Sequence, residues 1–256
     1  MTVRELYTWL EEKYPKSLSC PWDNDGIMVC ADLGKEVKRV LVALDASGAV
    51  LEYAAEQGFD TVVTHHPMLF KGVKSVSERS LHGRHILTAL TNGITVFSFH
   101  TRLDAACGGV NDALCRALGY TADGVFGDTE APELGRLFML PEALTAAEVA
   151  KQIKAALGCA AVRLNGDPAK KVQRIAVCGG DGKDFIYPAL YAGADLFLTG
   201  DAGYNMAAEA AEEGLVTVEA GHYHTEAPVC GVLAEEIRAY TGALVEIFDS
   251  CSYTVV

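Results

Sequence analysis

A two-unit α/β fold is what this 256-residue sequence predicts, and three observations lead there. Short β-branched runs alternate with stretches of helical periodicity almost from end to end. Two of the strand–helix–strand stretches repeat one another. Five of the seven histidines follow directly on predicted strands, beside acidic residues. Half of the residues are hydrophobic, enough apolar surface to offset the entropy of ordering, so a disordered chain is excluded.

In chain order, Val3, Leu6, Tyr7, Leu10 and Tyr14 recur at helical spacing among charges. They predict an amphipathic surface helix ended by Pro15. Strands are predicted at 39–44, 61–64, 94–99, 174–178, 195–199, 215–218 and 244–248. Helices are predicted at 48–57, 81–91, 110–118, 144–157, 185–191, 204–213 and 228–240. The stretch 121–141 carries Gly, Pro and acids with little periodicity. It sets the boundary between a first unit, 1–125, and a second, 126–256, whose C-terminal segment can pack back on the first.

Residues 39–66 align without a gap on 174–201 at a shift of 135, pairing Arg39 with Arg174, Gly58 with Gly193, Asp60 with Asp195 and Thr64 with Thr199. At a shift of 122, residues 94–104 align on 216–226, so His100 meets His222 and Asp104 meets Glu226. Each half therefore ends a strand in His-x-x-x-Asp/Glu. An internal duplication is the economical reading.

The net charge of −13 argues against nucleic-acid binding, which needs Lys and Arg to displace phosphate counterions, and against anionic membranes. There is no signal-peptide pattern at the start and no run of apolar residues long enough for a membrane span. Eight cysteines form no CxxC pair and read as mostly buried thiols of a reducing compartment. Cytoplasmic location is the expectation.

The carboxyl ends of parallel strands are where such folds bind ligands. His65 and His66 end one strand, His100 and Asp104 follow another, and His222 and Glu226 follow its repeat. One strand-end histidine is ordinarily structural. Three clusters, two of them related by the repeat, point to metal. Imidazole and carboxylate without thiolate suit zinc, iron or manganese. That many donors exceed the need of one open ion and suit two, roughly 3.5–4 Å apart and bridged by a carboxylate. His82 and His85, one turn apart on a helix, read as solvated surface. Trp22 within Pro21-Trp22-Asp23-Asn24-Asp25-Gly26 is either a stacking platform for substrate or part of an Asx-rich turn. The Gly179–Gly180–Asp181–Gly182 run reads as a close strand-to-helix turn rather than a phosphate loop. No nucleophile-elbow motif accompanies a Ser-His-Asp set.

Taken in order, Trp22-Asp23-Asn24, Leu44-Asp45, Thr64-His65-His66-Pro67, His100-Thr101-x-Leu103-Asp104, Gly108-Gly109-Val110-Asn111-Asp112, Gly179-Gly180-x-Gly182, Thr199-Gly200-Asp201 and Gly221-His222-x-x-x-Glu226 span the chain. Together they resemble the GTP cyclohydrolase 1 type 2 homologue family, the Nif-three-like dinuclear metal-centre proteins. The resemblance implies two α/β domains with a dinuclear metal site between them, in a ring-shaped homohexamer. It implies two divalent ions per chain, ligated by His65, His66, Asp104, His222 and Glu226, with Glu226 bridging and His100 a neighbour. It further implies metal-dependent hydrolysis of a nucleotide or similar small molecule; His100, beside the ligands, is the candidate catalytic residue for moving protons.

Two features depart from the family pattern. Ala202-Gly203-Tyr204-Asn205 stands where relatives often place histidines, and His224 is additional. The first bears on substrate contacts rather than on the ligands. The lack of an evident Lys/Arg phosphate clamp counts against a triphosphate. The alternative is a non-catalytic metal-binding hexamer serving storage, delivery or regulation.

Overall fold

The computed structural model describes residues 1–249 and 251–256. By its contacts the chain divides into one unit of Met1–Leu103 with Cys230–Ser252, and a second of Asp104–Val229 with Tyr253–Val256. Among the described residues no helix is long and apolar enough to cross a membrane.

In the first unit, α1 (Val3–Lys13) starts on a reciprocal cap in which Thr2 accepts from the Glu5 amide and Glu5 accepts from the Thr2 amide. It buries Val3, Leu6 and Leu10, the stripe read from the sequence. There follow β1 (Gly26–Val29), β2 (Arg39–Ala43), α2 (Gly48–Glu56), β3 (Thr61–Thr64), α3 (Leu81–Thr91) and β4 (Thr95–Ser98). The five-residue α4 (Thr101–Ala105) carries the chain into the second unit. The sheet order is β1-β4-β3-β2-β11, where β11 (Leu244–Phe248) is reached through α10 (Pro228–Thr241). All its pairings are parallel except β1 with β4. The strand β3 (TVVT) is buried on both faces, which is why it reads as a continuous apolar and β-branched run rather than an alternation.

The second unit contains α5 (Val110–Ala117), β5 (Gly124–Phe126), β6 (Gly135–Thr145), α6 (Ala146–Ala156), β7 (Arg163–Asn165) and β8 (Lys171–Asp181). These are followed by α7 (Ile186–Tyr191), β9 (Leu196–Asp201), α8 (Tyr204–Glu212), β10 (Val216–Glu219) and α9 (His222–Glu226). Its sheet runs β5-β6-β8-β9-β10-β7, parallel through β8, β9 and β10 and antiparallel at both margins.

Several elements differ from the sequence reading. The helix expected over 144–157 begins at Ala146, because Leu144 and Thr145 still pair with Val172 and Lys171 in the sheet. Thr145 then caps the helix through Glu148. The contacts divide the chain at Leu103/Asp104, whereas composition places the boundary at 125/126. The helix α5 packs on β6 and β8, so the segment from Asp104 onward belongs with the second sheet.

The duplication is visible in hydrogen bonds. Asp60 Oδ2 accepts from the amides of Lys38 and Arg39 at 2.7 and 2.9 Å. Asp195 Oδ2 accepts from Gln173 and Arg174, both at 2.9 Å. These are equivalent positions at the shift of 135. The amide of Phe99 donates to Thr64 O, and that of Ala220 to Thr199 O, both at 2.9 Å. The second pair of bonds runs at a shift of 121 rather than the 122 that aligns His100 with His222. Gly221, at φ +86, is the extra residue between strand and histidine.

Candidate metal centre

In the first unit the site grows from the ends of β2, β3 and β4. The strand β3 leads directly into His65, fully buried, and His66. The His65 ring Nδ1 lies 3.0 Å from the carbonyl oxygen of Phe99, which can only accept, so Nδ1 carries the proton and the lone pair sits on Nε2. His66 Nδ1 lies 2.8 Å from Asp45 Oδ1, just past β2, and the His66 amide donates to Leu44 O at 2.9 Å. His100 Nδ1 lies 2.8 Å from Asp23 Oδ1. Ring nitrogens of His65, His66 and His100 all lie within 4.8 Å of one another. Orientation of an imidazole through Nδ1 by a carbonyl or carboxylate is the usual support of a metal-binding Nε2.

The Asp23 carboxylate is itself held on three sides, since Oδ2 accepts from the Thr101 amide at 3.0 Å and from its hydroxyl at 2.5 Å. Burial raises its pKa, but the hydrogen bonds and charge of His100 and the bonds from Thr101 outweigh burial and hold it at about 2. Next to it, the fully buried Arg102 forks onto Asp25, with Nε–Oδ2 at 2.9 Å and Nη2–Oδ1 at 2.8 Å. Arg102 also donates to Glu11 and to Tyr14 O. The Trp22–Gly26 segment is thus tied to the strand end that presents His100.

In the second unit, α9 is one turn of helix whose two ends are His222 and Glu226. His222 Nδ1 lies 2.8 Å from Asp201 Oδ2, and its Nε2 lies 3.3 Å from Glu226 Oε2. Carboxylate oxygens of Asp104 and Glu226, both nearly buried, lie within 4.8 Å of each other. Gly180, at φ +67, faces this pair closely: a Cβ there would stand 2.0 Å from Glu226 Oε1 and 3.2 Å from His222 Nε2. Gly180 still belongs to β8, so the expected turn is a strand end shaped to admit the glutamate. The Gly180 amide donates to Thr225 Oγ1 at 3.1 Å. The buried Asn111 side chain accepts from the Gly179 amide at 2.8 Å and donates to Asp104 O at 3.3 Å and Leu134 O at 2.8 Å. It fixes the backbone of Asp104 and of β8 together.

Every predicted site residue is therefore at a strand end or on the short helix following one. His65, His66 and His100 cluster, and Glu226 lies close to His222 and to Asp104. His82 is exposed and His85 half-buried on α3. Asp23, Arg102, Asn111 and Thr225 carry supporting roles that spacing alone does not assign. Asp23 and Asn111 stand within the quoted motifs, though with no sign of their partners, and Arg102 and Thr225 fall at the unspecified positions.

The donor chemistry fits a divalent cation. With Nδ1 of His222 on Asp201, Nε2 faces Glu226 Oε2 at 3.3 Å, a pair held together by a cation, either a proton on the ring or a metal ion.

A profile of the Duf34/NIF3 (NGG1p interacting factor 3) family matches residues 1–254. The chain belongs to that family. A Clostridium perfringens protein named GTP cyclohydrolase 1 type 2 homolog is 33% identical over 254 residues, covering 98% of this chain and 96% of the relative. A Streptomyces coelicolor protein of the same name is 34% identical, over 92% of this chain and 85% of its own. Among solved structures, a Staphylococcus aureus hypothetical protein is 26% identical and superposes with a TM-score of 0.89, over 100% of this chain and 99% of the other. The reduced form of HcgD from Methanocaldococcus jannaschii, 27% identical, gives 0.83 over 96% and 97%.

Proposed function

We propose that the chain is a metal-dependent hydrolase carrying two divalent ions, zinc, iron or manganese, on His65, His66, Asp104, His222 and Glu226, with Glu226 shared by both. The observation that carries this reading is the His222–Glu226 contact, in which the ring nitrogen turned away from Asp201 lies 3.3 Å from a buried carboxylate oxygen. Bound divalent ions supply the Lewis acidity that turns water into a nucleophile near neutral pH. Imidazole and carboxylate donors suit such ions, and five donors for two ions leave positions open for water and substrate.

His100 is the proton-moving group. Its Nδ1 donates to Asp23, so Nε2 is the accepting atom, and Asp23, ionised above about pH 2, balances the imidazolium that forms on proton uptake. The substrate is a nucleotide or similar small molecule, in keeping with the name of the curated relatives. Opening of a purine imidazole ring by water is the reaction that name describes. The working form is a homohexamer in the cytoplasm.

The test is turnover of nucleotides, esters and amides by metal-reconstituted protein, read by mass spectrometry for products heavier in sum than the substrate by one water. Turnover that falls about 100-fold or more in His100→Gln, at unchanged metal content, supports the reading. Reversible metal exchange with no turnover of any class replaces it with a non-catalytic metal-binding role in storage, delivery or regulation.

A further inference from the structure

Trp22 and Phe70 are two large aromatic side chains of the first unit that remain 55% and 45% exposed. Single exposed aromatics are ordinary. These two are held in place relative to each other and to His100. Their ring centroids lie 6.1 Å apart with planes at 67°, and each stands edge-on to the His100 ring, at 6.4 Å for Trp22 and 6.2 Å for Phe70. The neighbouring segments are pinned, because Asp23 holds His100 and Thr101 while the Asn24 side-chain Nδ2 donates to Leu69 O, tying the two aromatic segments together. The loop bearing Phe70 continues through exposed Lys71, Lys74 and Arg79, against one acid, Glu78, in a chain of net charge −13.

We propose that Trp22 and Phe70 form the subsite that binds a planar heteroaromatic ring beside His100, with Lys71 and Lys74 taking an anionic group attached to it. This rests on the hydrolase reading above and specifies its substrate class as a phosphorylated heteroaromatic compound. Two rings inclined at 67° make a corner. A planar ring laid on one meets the other edge-on, and both contacts are favourable aromatic geometries. Stacking on aromatic side chains tolerates different bases because every base has a π-face. The loop that continues from Phe70 carries the exposed cations Lys71 and Lys74, the charge that a phosphate attached to the ring calls for.

The chain has two tryptophans, and Trp9 stacks on Tyr240 at 4.2 Å, apart from this corner. In metal-reconstituted Trp9→Phe protein, Trp22 is the sole indole reporter. Its fluorescence is titrated with GMP, AMP, UMP, flavin mononucleotide, guanosine and ribose 5-phosphate. The proposal expects saturable quenching by at least one nucleotide, weaker binding of the matching nucleoside, and none by ribose 5-phosphate. Phe70→Ala weakens that nucleotide about 5- to 100-fold while Phe70→Tyr restores it, and Lys71→Ala with Lys74→Ala weakens the nucleotide but not the nucleoside. No quenching by any ring compound, or equal quenching by ribose 5-phosphate, overturns it. So does a Trp22→Ala protein that changes its oligomeric state while binding the nucleotide as before, which would make the corner an interface between copies. Metal content read on the same samples separates the two readings. Two equivalents without quenching removes the subsite alone, and quenching without metal removes the metal centre alone.

Discussion

At the end of β3, Thr64 is followed by His65 and His66; at the equivalent end of β9, Thr199 is followed by Gly200 and Asp201. At the end of β2 stands Asp45, and its counterpart in β8 is Gly180. The two units share a β-α-β-α-β frame and a repeated aspartate that ties neighbouring strand starts, yet they place their donors differently. In the first unit Asp45 orients a donor on the next strand, His66. In the second the matching position has lost its side chain so that Glu226 fits against the backbone, and Asp201, the counterpart of His66, orients His222 instead. The first unit also inserts residues 67–80 before its helix, where the second has only Ala202 and Gly203. The duplicated frame preserves strand ends as places for chemistry; which strand end donates and which supports was free to change.

The largest effect falls on the first unit. Replacing Arg102 by Met removes the buried cation shared by Asp25 and Glu11, leaving Asp25 only the half-exposed Lys16, and is expected to cost about 3–5 kcal/mol. Denaturant melts check this, and a loss under about 1 kcal/mol would show that Arg102 does not anchor the His100 strand end.

Its counterpart in the second unit is Gly180→Ala. Positive φ and a methyl 2.0 Å from Glu226 Oε1 together predict a loss of about 2–4 kcal/mol and failure of metal retention. The equivalent Asp45→Gly keeps the fold, so the pair of variants measures how far the two positions have diverged.

Acid titration reads the first unit alone. The Asp23 carboxyl is depressed to about 2 from an ordinary value of 3.8, so its contribution is fully present above pH 4 and is lost as pH falls toward 2. The expected difference between wild type and Asp23→Asn is about 2 kcal/mol at pH 6, shrinking toward pH 2; a pH-independent difference would contradict the assignment.

The smallest effects are in metal affinity. Asp45→Ala and Asp201→Ala should each weaken binding about 10- to 100-fold with little change in stability, because each aligns one exposed-side imidazole. His65 escapes such a test, as its partner is a main-chain carbonyl that no substitution removes. Competition with a chelating dye measures both variants.

The parallel strands were legible because β2, β3, β4, β8, β9 and β10 are runs of β-branched and apolar residues buried on both faces. The edge strand β11 was legible too, but β1, β5, β6 and β7 were not. In β6 the register shifts between Met139 and Leu144, with Pro141 and Glu142 exposed, so no period of two survives. The three-residue β7 is a polar Arg163–Asn165 edge, held in part by Arg163 on Glu219. The donors His65, His66, His100, Asp104, His222 and Glu226 could be chosen from spacing and the repeat. Arg102 and Asn111 could not, because an arginine or an asparagine in a helical stretch reads as surface unless its distant acceptors are known. Asp23 and Asp25 lie more than seventy residues from the groups they hold.

The most direct test is metal content per chain, by mass spectrometry, of reconstituted wild type and Glu226→Ala. About two equivalents are expected in the wild type, with loss or weakening of both in the variant, since one carboxylate serves both ions. No metal bound after reconstitution with zinc, iron or manganese, or two equivalents retained without Glu226, would contradict the shared two-ion site.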